Sequence, residues 1–220
     1  MKKNILFLAV LLMSCKGAPQ KEKVGNDSIE NEDTVTALMG QEATEAEVAE
    51  FVPLPDHAEK KDEVADRILY LVTEKETDEE CYSVWLKNKK TSEVKCLFRT
   101  NSTGDTKWDL MADGNGIAVS ADEITVGYCY KCMFLPWNKD KVYIEGCPDG
   151  RNVWSYVFDI KSGTAIQFPS TEGLISMDSD SKLLHMGLYG YHPEGGRYSV
   201  ERVYTENGAY TGDEIERGDE

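Results

Sequence analysis

Short runs in which apolar and polar residues alternate fill the chain after residue 66. In the clearest run, VWSYVFDI, one face carries Trp154, Tyr156, Phe158 and Ile160, and the other carries Val153, Ser155, Val157 and Asp159. A period of two residues is typical of a β-strand with two different faces. Gly, Asp, Asn and Lys separate these runs, as turns between strands require. The pattern therefore predicts an all-β domain over residues 67–210.

Three segments of this domain share one plan, in which a short strand leads to a longer strand, a polar turn and a returning strand. The short strands read RILYLV, KVYIEG and KLLHMG, and the longer hairpins read CYSVWLKNKKTSEVKCLF, VWSYVFDIKSGTAIQF and RYSVERVYTENGAY. Polar turns such as WNKDK and MDSDSK precede two of the short strands, and ADGNG is another such turn. Each hairpin has an aromatic face that it cannot bury alone, so we expect the repeats to stack.

This plan resembles the blades of bacterial β-propellers, whose outer hairpin carries a D-x-x-T/S-G pattern. Asp159, Ser162 and Gly163 fit that pattern, and a looser match is formed by Asn88, Thr91 and Ser92. The resemblance implies a propeller-like array of antiparallel meanders with about three to four blades, whereas propellers usually have four to eight. The array is then small or incomplete. The alternative architecture is an antiparallel β-sandwich or barrel.

The first residues have the layout of a secretory signal. Two lysines precede an uncharged apolar run over residues 5–13, and the small Ser14 precedes Cys15. The run is too short to cross a bilayer, which takes about 20 apolar residues. We therefore interpret residues 1–14 as a signal peptide.

The end of this segment, LMSC, resembles the lipobox of bacterial lipoproteins, with Leu12 three residues before Cys15. The resemblance implies that Cys15 becomes the lipidated first residue, carrying acyl chains such as palmitate. It also implies a protein held at the membrane of the cell envelope by this anchor. Lys16 follows the cysteine where an aspartate would retain the protein at the inner membrane, so the outer membrane is favoured.

The formal net charge of −16 is concentrated towards the two ends of the chain. Residues 18–66 hold 14 acidic and 4 basic side chains, whereas residues 67–210 hold 21 and 16. Residues 15–55 are predicted to be a disordered acidic tether because they are poor in large apolar side chains. Residues 56–66 predict a short helix capped by Asp56, and residues 211–220 an acidic tail. No basic patch is present to neutralise phosphates, so nucleic acid is not an expected partner.

Lipidation of Cys15 would leave five cysteines in the chain, namely Cys81, Cys96, Cys129, Cys132 and Cys147. A compartment outside the inner membrane permits disulfides, so we interpret the five as disulfide candidates with open connectivity. The two-residue gap between Cys129 and Cys132 also occurs in redox and zinc sites. However, no helical pattern follows Cys129, as a thioredoxin-type site needs, and no second close pair completes a zinc site. Met133 stands where haem attachment would need a histidine.

No catalytic motif is recognisable in the chain. His57, His185 and His192 have no suitable serine or cysteine beside them in sequence. The acidic stretches DGNG and DSDS predict turns, because neither continues to the acidic residue that a calcium-binding loop of the EF-hand type needs. The sequence therefore predicts no cofactor and no metal.

We predict a lipid-anchored envelope protein that presents an all-β domain to a protein partner, as an accessory or inhibitor subunit. The alternative is a carbohydrate- or peptide-binding lipoprotein, with exposed aromatic platforms at Trp108, Trp137, Tyr189 and Tyr191. A third interpretation is a hydrolase, which would show a pocket with converging acids or a perturbed histidine.

Overall fold

A computed structural model describes residues 52–76, 79–101 and 107–219. Over these residues the chain forms thirteen β-strands, which make three antiparallel sheets, and two short 3-10 helices. Neither of these described helices is long and apolar enough to cross a membrane. The predicted signal peptide, Cys15 and most of the predicted tether lie outside the described residues. The domain itself is all-β, as the alternating pattern predicts.

Each sheet is built from strands that are close in sequence. Sheet 1 has the order β1 (Glu59–Val64), β2 (Arg67–Glu76), β3 (Glu79–Asn88) and β4 (Val94–Arg99). Sheet 2 has the order β5 (Ile117–Ser120), β9 (Thr164–Phe168), β8 (Trp154–Asp159), β7 (Asn138–Gly146) and β6 (Cys129–Leu135). Sheet 3 has the order β10 (Gly173–Asp178), β11 (Leu183–Tyr191), β12 (Arg197–Thr205) and β13 (Tyr210–Asp219). The 3-10 helices cover Trp108–Met111 and Ala121–Glu123.

The three sequence repeats coincide with the three sheets. The first two repeats supply the last three strands of a four-stranded meander, β2 to β4 and β7 to β9. The third supplies β11 and β12 and ends at Tyr210, the first residue of β13. A preceding strand, β1, β6 or β10, completes each meander. The described part of the chain is therefore a propeller-like array of three meander sheets, rather than the two sheets of a sandwich.

Sheet 2 lies between the other two sheets and is buried on both faces. On β7, Val142 and Ile144 belong to a hydrophobic cluster shared with sheet 1, whereas Tyr143 belongs to a cluster shared with sheet 3. On β8 the same division separates Tyr156 from Val157. The alternation in VWSYVFDI thus reflects two different cores, one on each side of a single strand.

The register of the longer strands also repeats from sheet to sheet. The outer hairpins turn after Asn88, Asp159 and Thr205. Four residues before these positions, the longer strands pair with the returning strands as Val84 with Phe98, Ser155 with Phe168, and Glu201 with Ile215. We call the face with Val84, Ser155 or Glu201 the forward face. The opposite face, with Lys87, Phe158 or Tyr204, is the back face.

Forward faces meet back faces at both interfaces. Phe98 on the forward face of sheet 1 lies 4.6 Å from Phe158 on the back face of sheet 2, measured between ring centroids. Phe168 on the forward face of sheet 2 lies 5.6 Å from Tyr204 on the back face of sheet 3. These two pairs occupy equivalent positions, so the stack of sheets has a direction.

The outer hairpins of sheets 1 and 2 use the same turn chemistry, as the D-x-x-T/S-G pattern predicts. The Asn88 side chain accepts the backbone N–H groups of Lys90 and Thr91, at 2.8 and 3.2 Å. Asp159 accepts those of Lys161 and Ser162 in the same way, at 2.8 and 3.1 Å. Side chains of this kind favour turns because they satisfy local backbone donors.

Gly163 and Ser92 close these two turns. Both have positive φ, of 72° and 61° respectively. This backbone conformation favours glycine, so the glycine of the pattern suits its position and the serine is a strained substitute for it.

Two predictions about the ends of the domain are wrong. The helix predicted for residues 56–66 is replaced by strand β1, which pairs with β2. Asp62 in β1 also accepts the backbone N–H of Phe134 at 2.8 Å, which joins sheet 1 to sheet 2. The predicted acidic tail is strand β13, which lies along β12. In both places, backbone pairing with an adjacent strand outweighs local preference.

Candidate interaction surface

Two tyrosines at the start of β6 project into solvent. Tyr128 is 62% exposed and Tyr130 is 54% exposed, and their rings stack with centroids 6.4 Å apart and planes 21° apart. A β-bulge at this point interrupts the register with β7 between Cys129 and Lys131. Because a bulge re-aims side chains, Tyr130 faces solvent while Cys129 and Cys132 both pack towards sheet 1.

A second pair of tyrosines lies at the end of β11. Tyr191 is 70% exposed, and its ring makes an edge-on contact with Tyr189 at a centroid distance of 5.8 Å. The guanidinium of Arg197 lies 4.9 Å from the centre of the Tyr189 ring, a distance within the range of cation–π attraction. These contacts hold the Tyr189 ring in place beside the exposed ring.

The loop between β7 and β8 touches both tyrosine pairs. On one side the backbone N–H of Cys147 donates to the carbonyl oxygen of Tyr128 at 2.9 Å. On the other side the Tyr189 hydroxyl donates to the side-chain oxygen of Asn152. We call the four tyrosines Tyr128, Tyr130, Tyr189 and Tyr191, together with the loop over residues 147–152, the tyrosine surface.

The loop is held in one conformation by Asp149. Its Oδ1 accepts the backbone N–H groups of Arg151 and Asn152 at 2.8 and 2.7 Å, and its Oδ2 accepts the Asn152 side-chain amide at 2.8 Å. Partial burial alone would raise the pKa of Asp149, but these donors outweigh it and lower the pKa below its usual value. Asp149 therefore stays ionised and keeps the loop fixed between the tyrosine pairs.

Gly146 allows the close contact behind Tyr128. A Cβ atom at Gly146 would lie 2.1 Å from the carbonyl oxygen of Tyr128, which is too close for any other residue. The glycine at the end of KVYIEG thus permits the approach of β6 to the loop that follows β7.

The cysteine pair is part of the core between sheets 1 and 2. Cys132 is buried within the cluster and Cys129 packs against it. Burial raises the pKa of Cys129 to about 12 and that of Cys132 well above its usual value. Redox chemistry and zinc binding both need a thiolate, so this environment opposes both roles.

No disulfide is formed among the five cysteines of the described residues. Cys96 pairs across the strands with Trp85, and Cys81 comes four residues earlier in β3, so the two cysteines are not opposite each other. Cys129 pairs with Gly146, so Cys147, the next residue, is not directly opposite Cys129 either.

The tryptophans predicted as binding platforms lie elsewhere. Trp137 is half-buried at the contact between sheets 2 and 3, where its indole N–H donates to Glu206 at 2.6 Å. Trp108 lies in the first 3-10 helix. The structure therefore places Tyr189 and Tyr191 together and Trp137 away from them.

Two of the three histidines, His185 and His192, contact neighbours in sheet 3, whereas His57 lies in a turn before β1. His185 lies 2.6 Å from a carboxylate oxygen of Glu201, and the His192 ring lies 4.6 Å from the Tyr198 ring. Over the described ranges, no group of three His, Cys, Asp or Glu side chains is arranged to hold a metal ion. A groove between sheets 1 and 2 is lined by Arg67, Leu86, Asn88, Glu93, Lys95 and Ile160.

Sequence reasoning missed Tyr128 and Tyr130. They flank Cys129 in VGYCYKC, where the spacing of the two cysteines favoured a role for the thiols rather than for the tyrosines. The local signal in that segment is the alternation of tyrosine and cysteine, but the bulge that decides which side chain faces solvent is set by pairing with β7.

No protein-family model matches the chain, and no curated protein matches it. Among solved structures, the chain is similar to the acylaminoacyl peptidase of Pyrococcus horikoshii, with a TM-score of 0.44 and 11% identity over 73% of this chain and 25% of that one. It is also similar to TolB from Acinetobacter baumannii, with a TM-score of 0.27 and 13% identity over 66% of this chain and 39% of that one. The chain thus spans well under half the length of either protein. Likenesses at this level carry no argument about function.

Proposed function

We propose that this chain is a lipid-anchored protein of the cell envelope that binds another protein through the tyrosine surface, as an accessory or inhibitor subunit. One observation carries the proposal: Tyr128, Tyr130 and Tyr191 are each more than half exposed around one fixed loop. Tyrosine offers a large rigid contact area at low entropic cost, and it is enriched where proteins bind each other.

Arginine side chains beside the tyrosines support a protein partner. Arg151 is an exposed residue of the loop, and Arg197 is exposed next to Tyr189. Tyrosine and arginine are the residue types that contribute most to protein–protein interfaces. The loop between them is already ordered by Asp149, so binding would cost little additional ordering entropy.

The anchor in this proposal rests on the lipobox-like LMSC ending at Cys15. Each acyl methylene buried in the membrane contributes about 0.8 kcal/mol, so several chains together hold a protein firmly. A Cys15→Ala protein should leave the membrane fraction of fractionated cells. If it stays in that fraction, the anchor is wrong while the surface can still be tested.

Site-specific crosslinking tests the surface. We would replace Tyr130 with a photo-reactive phenylalanine derivative in the full chain, irradiate intact cells, and identify crosslinked proteins by mass spectrometry. The matched control places the same group at Lys161, whose side chain is 76% exposed on the outer hairpin of sheet 2. We expect one dominant protein at position 130 that is absent at position 161.

A second variant connects the crosslink to the surface. Tyr128→Ser removes the stacked neighbour of the probe without touching a buried side chain. We expect it to reduce the crosslink at position 130 by about tenfold, as loss of one interface tyrosine commonly does. Identical crosslinked proteins at positions 130 and 161, or no effect of Tyr128→Ser, would contradict the proposal.

A carbohydrate ligand is the second candidate, and the Tyr191 ring favours it. The exposed Tyr191 ring packs against Tyr189, whose hydroxyl donates to Asn152 in the loop, and an exposed ring near fixed polar groups suits a sugar face and its hydroxyls. Titration of the purified lipoprotein in detergent with envelope glycans, followed by tyrosine fluorescence, tests this candidate. A saturable change that Tyr191→Ala abolishes would favour a glycan over a protein partner.

A further inference from the structure

The direction of the sheet stack leaves two complementary faces at its ends. The forward faces of sheets 1 and 2 are filled by the back faces of sheets 2 and 3. Among the described residues, no sheet packs on the back face of sheet 1 or on the forward face of sheet 3. The chain already contains two interfaces in which a forward face packs on a back face. The back face of sheet 1 and the forward face of sheet 3 could form a third interface of the same kind.

We propose that a second copy of this chain fills both faces, so that two copies form a closed ring of six sheets. Three sheets are too few for a closed propeller, whereas twice that number falls within the usual range of about four to eight. A head-to-tail interface closes into a symmetric assembly when the rotation per unit allows it. The repeat indicates that the partner is a second copy, because the free forward face of sheet 3 is the type of face that packs on a back face such as that of sheet 1.

The repeated register identifies the residues that would meet. Phe98 contacts Phe158 at the first interface, and Phe168 contacts Tyr204 at the second. The next position in the forward series is Ile215, which pairs with Glu201 as Phe98 pairs with Val84. The equivalent position in the back series is Lys87, one residue before the hairpin turn at Asn88.

The properties of these faces agree with this contact. Ile215 is an apolar side chain that is 52% exposed on β13, at a position where the other two sheets bury phenylalanine. The back face of sheet 1 offers Ile68, Tyr70 and the aliphatic stem of Lys87, all partly exposed. They adjoin the buried Trp85, whose indole N–H donates to Ser83 on the same face at 2.8 Å. The Lys87 ammonium would also approach the carboxylate of Glu201, which gives opposite charges on the two faces.

The proposal does not rest on the protein-binding function. Tyr128 and Tyr130 adjoin sheet 2, whose two faces are filled within the chain, so a second copy would leave them accessible. Tyr191 is on the forward face of sheet 3, but by register it corresponds to Asp149 in the loop after β7, which sheet 3 leaves exposed, so a second copy would leave Tyr191 accessible as well.

Cysteine crosslinking between two copies tests the predicted contact. Cells would express one tagged full chain with Lys87→Cys and a second, differently tagged, with Ile215→Cys, and the whole lysate would be treated with a short bis-maleimide. We expect a covalent dimer that carries both tags. The controls are each single variant with the unaltered chain, and Lys161→Cys with Ile215→Cys, because Lys161 is at a hairpin tip. A dual-tag product no more abundant than in these controls overturns the proposal.

The mass of the assembly gives a second test, which uses a variant of an exposed residue that should leave the fold of one copy intact. Native mass spectrometry of the full chain in detergent should show twice the mass of one copy. Ile215→Asp should weaken this dimer by about tenfold or more, because a buried unpaired carboxylate replaces an apolar contact. Val52→Asp is the matched control, since Val52 is 50% exposed outside the strands. A single copy in the unaltered protein, or a ladder of masses beyond two copies, would overturn the closed ring.

Discussion

The two interfaces of sheet 2 are built differently, although they use equivalent positions. The interface with sheet 1 has the larger apolar cluster, which includes Phe98, Tyr156 and Phe158. An ion pair between Arg67 and Asp140 at this interface, at 2.7 Å, is partly exposed. The interface with sheet 3 has a smaller apolar cluster around Phe168 and Tyr204. Beside it lie two polar contacts that link the sheets.

Glu145 is the centre of the first polar contact. Its carboxylate is 5% exposed and accepts the Tyr143 hydroxyl at 2.6 Å and the backbone N–H of Leu174 in β10 at 2.8 Å. The Lys131 ammonium lies 2.6 Å from its other oxygen. Burial and the adjacent carboxylate raise the pKa of Tyr143 well above its usual value, so its hydroxyl remains a donor.

Glu206 is the centre of the second polar contact. It lies in the turn after β12 and accepts the indole N–H of Trp137 at 2.6 Å and the side-chain amide of Asn138 at 3.1 Å. The Lys141 ammonium lies 3.2 Å away. The comparison teaches that sheet 1 is held mainly by the larger apolar cluster, whereas sheet 3 has a smaller cluster and depends more on directional contacts of buried polar groups such as Glu145.

The largest effect should follow from truncating the apolar interface. Phe158→Ala should lower the free energy of unfolding by about 3–5 kcal/mol, because Phe158 is fully buried against Phe98. Phe168→Ala, at the equivalent place beside sheet 3, should cost less, since its cluster is smaller. Urea unfolding of both variants measures the difference. A larger cost for Phe168→Ala would break the comparison.

The reactivity of the cysteines is a second measure of how completely the interface between sheets 1 and 2 excludes water. A pKa of about 12 leaves Cys129 with about a thousandfold less thiolate at neutral pH than a thiol with the ordinary value of 9.0. Alkylation of Cys129 in the folded protein should therefore be slower than that of Cys147 and should accelerate in urea. Peptide mass spectrometry after timed labelling gives the rates. Equal rates for the two cysteines in the folded protein would mean that sheet 1 does not cover sheet 2 as described.

The polar interface should be sensitive to the loss of one charge. Lys131→Met leaves the buried Glu145 carboxylate without its cation, which should cost about 2–3 kcal/mol. Adding Glu145→Gln should recover part of that loss, because the double variant buries no unpaired charge. Urea unfolding of the two single variants and the double variant measures this coupling. Strict additivity would show that Lys131 and Glu145 do not act together.

The smallest effect should come from a surface contact of sheet 1. Hydrogen bonds from Lys60 and Lys89 lower the pKa of Glu63 from 4.5 to about 2. Because the folded pKa lies below the ordinary value, this contact stabilises the fold above pH 4.5, and the contribution is lost as the pH falls towards 2. The urea concentration at the unfolding midpoint of Glu63→Gln should thus converge with that of the unaltered protein at low pH. Glu93→Gln, at an exposed turn residue, is the control and should show no such convergence.

Much of the fold could be predicted because the information is local. The two faces of Trp154 to Ile160, the repeated hairpins and the turns at Asn88 and Asp159 all follow from short-range periodicity and turn chemistry. Strand β1 could not be predicted in this way. Its sequence, EKKDEV, favours a helix, and only the adjacent edge of β2 gives its backbone a better set of partners.

The candidate surface was predictable only in part, for a related reason. Tyr189 and Tyr191 alternate on one strand, so their common face follows from sequence. Their connection with Tyr128 and Tyr130 depends on a loop from another sheet and on a bulge, which are features of pairing between distant segments. The burial of Cys129 and Cys132 has the same origin.

The acidic side chains of strand β13 lie along an exposed sheet edge. This strand is ten residues long and forms the outer edge of sheet 3, where unpaired backbone groups would invite other chains to add strands. Asp213, Glu214 and Glu216 place like charges along that edge, so two such edges repel each other. The charge that gives this segment the character of a tail thus protects the protein from aggregation by sheet extension.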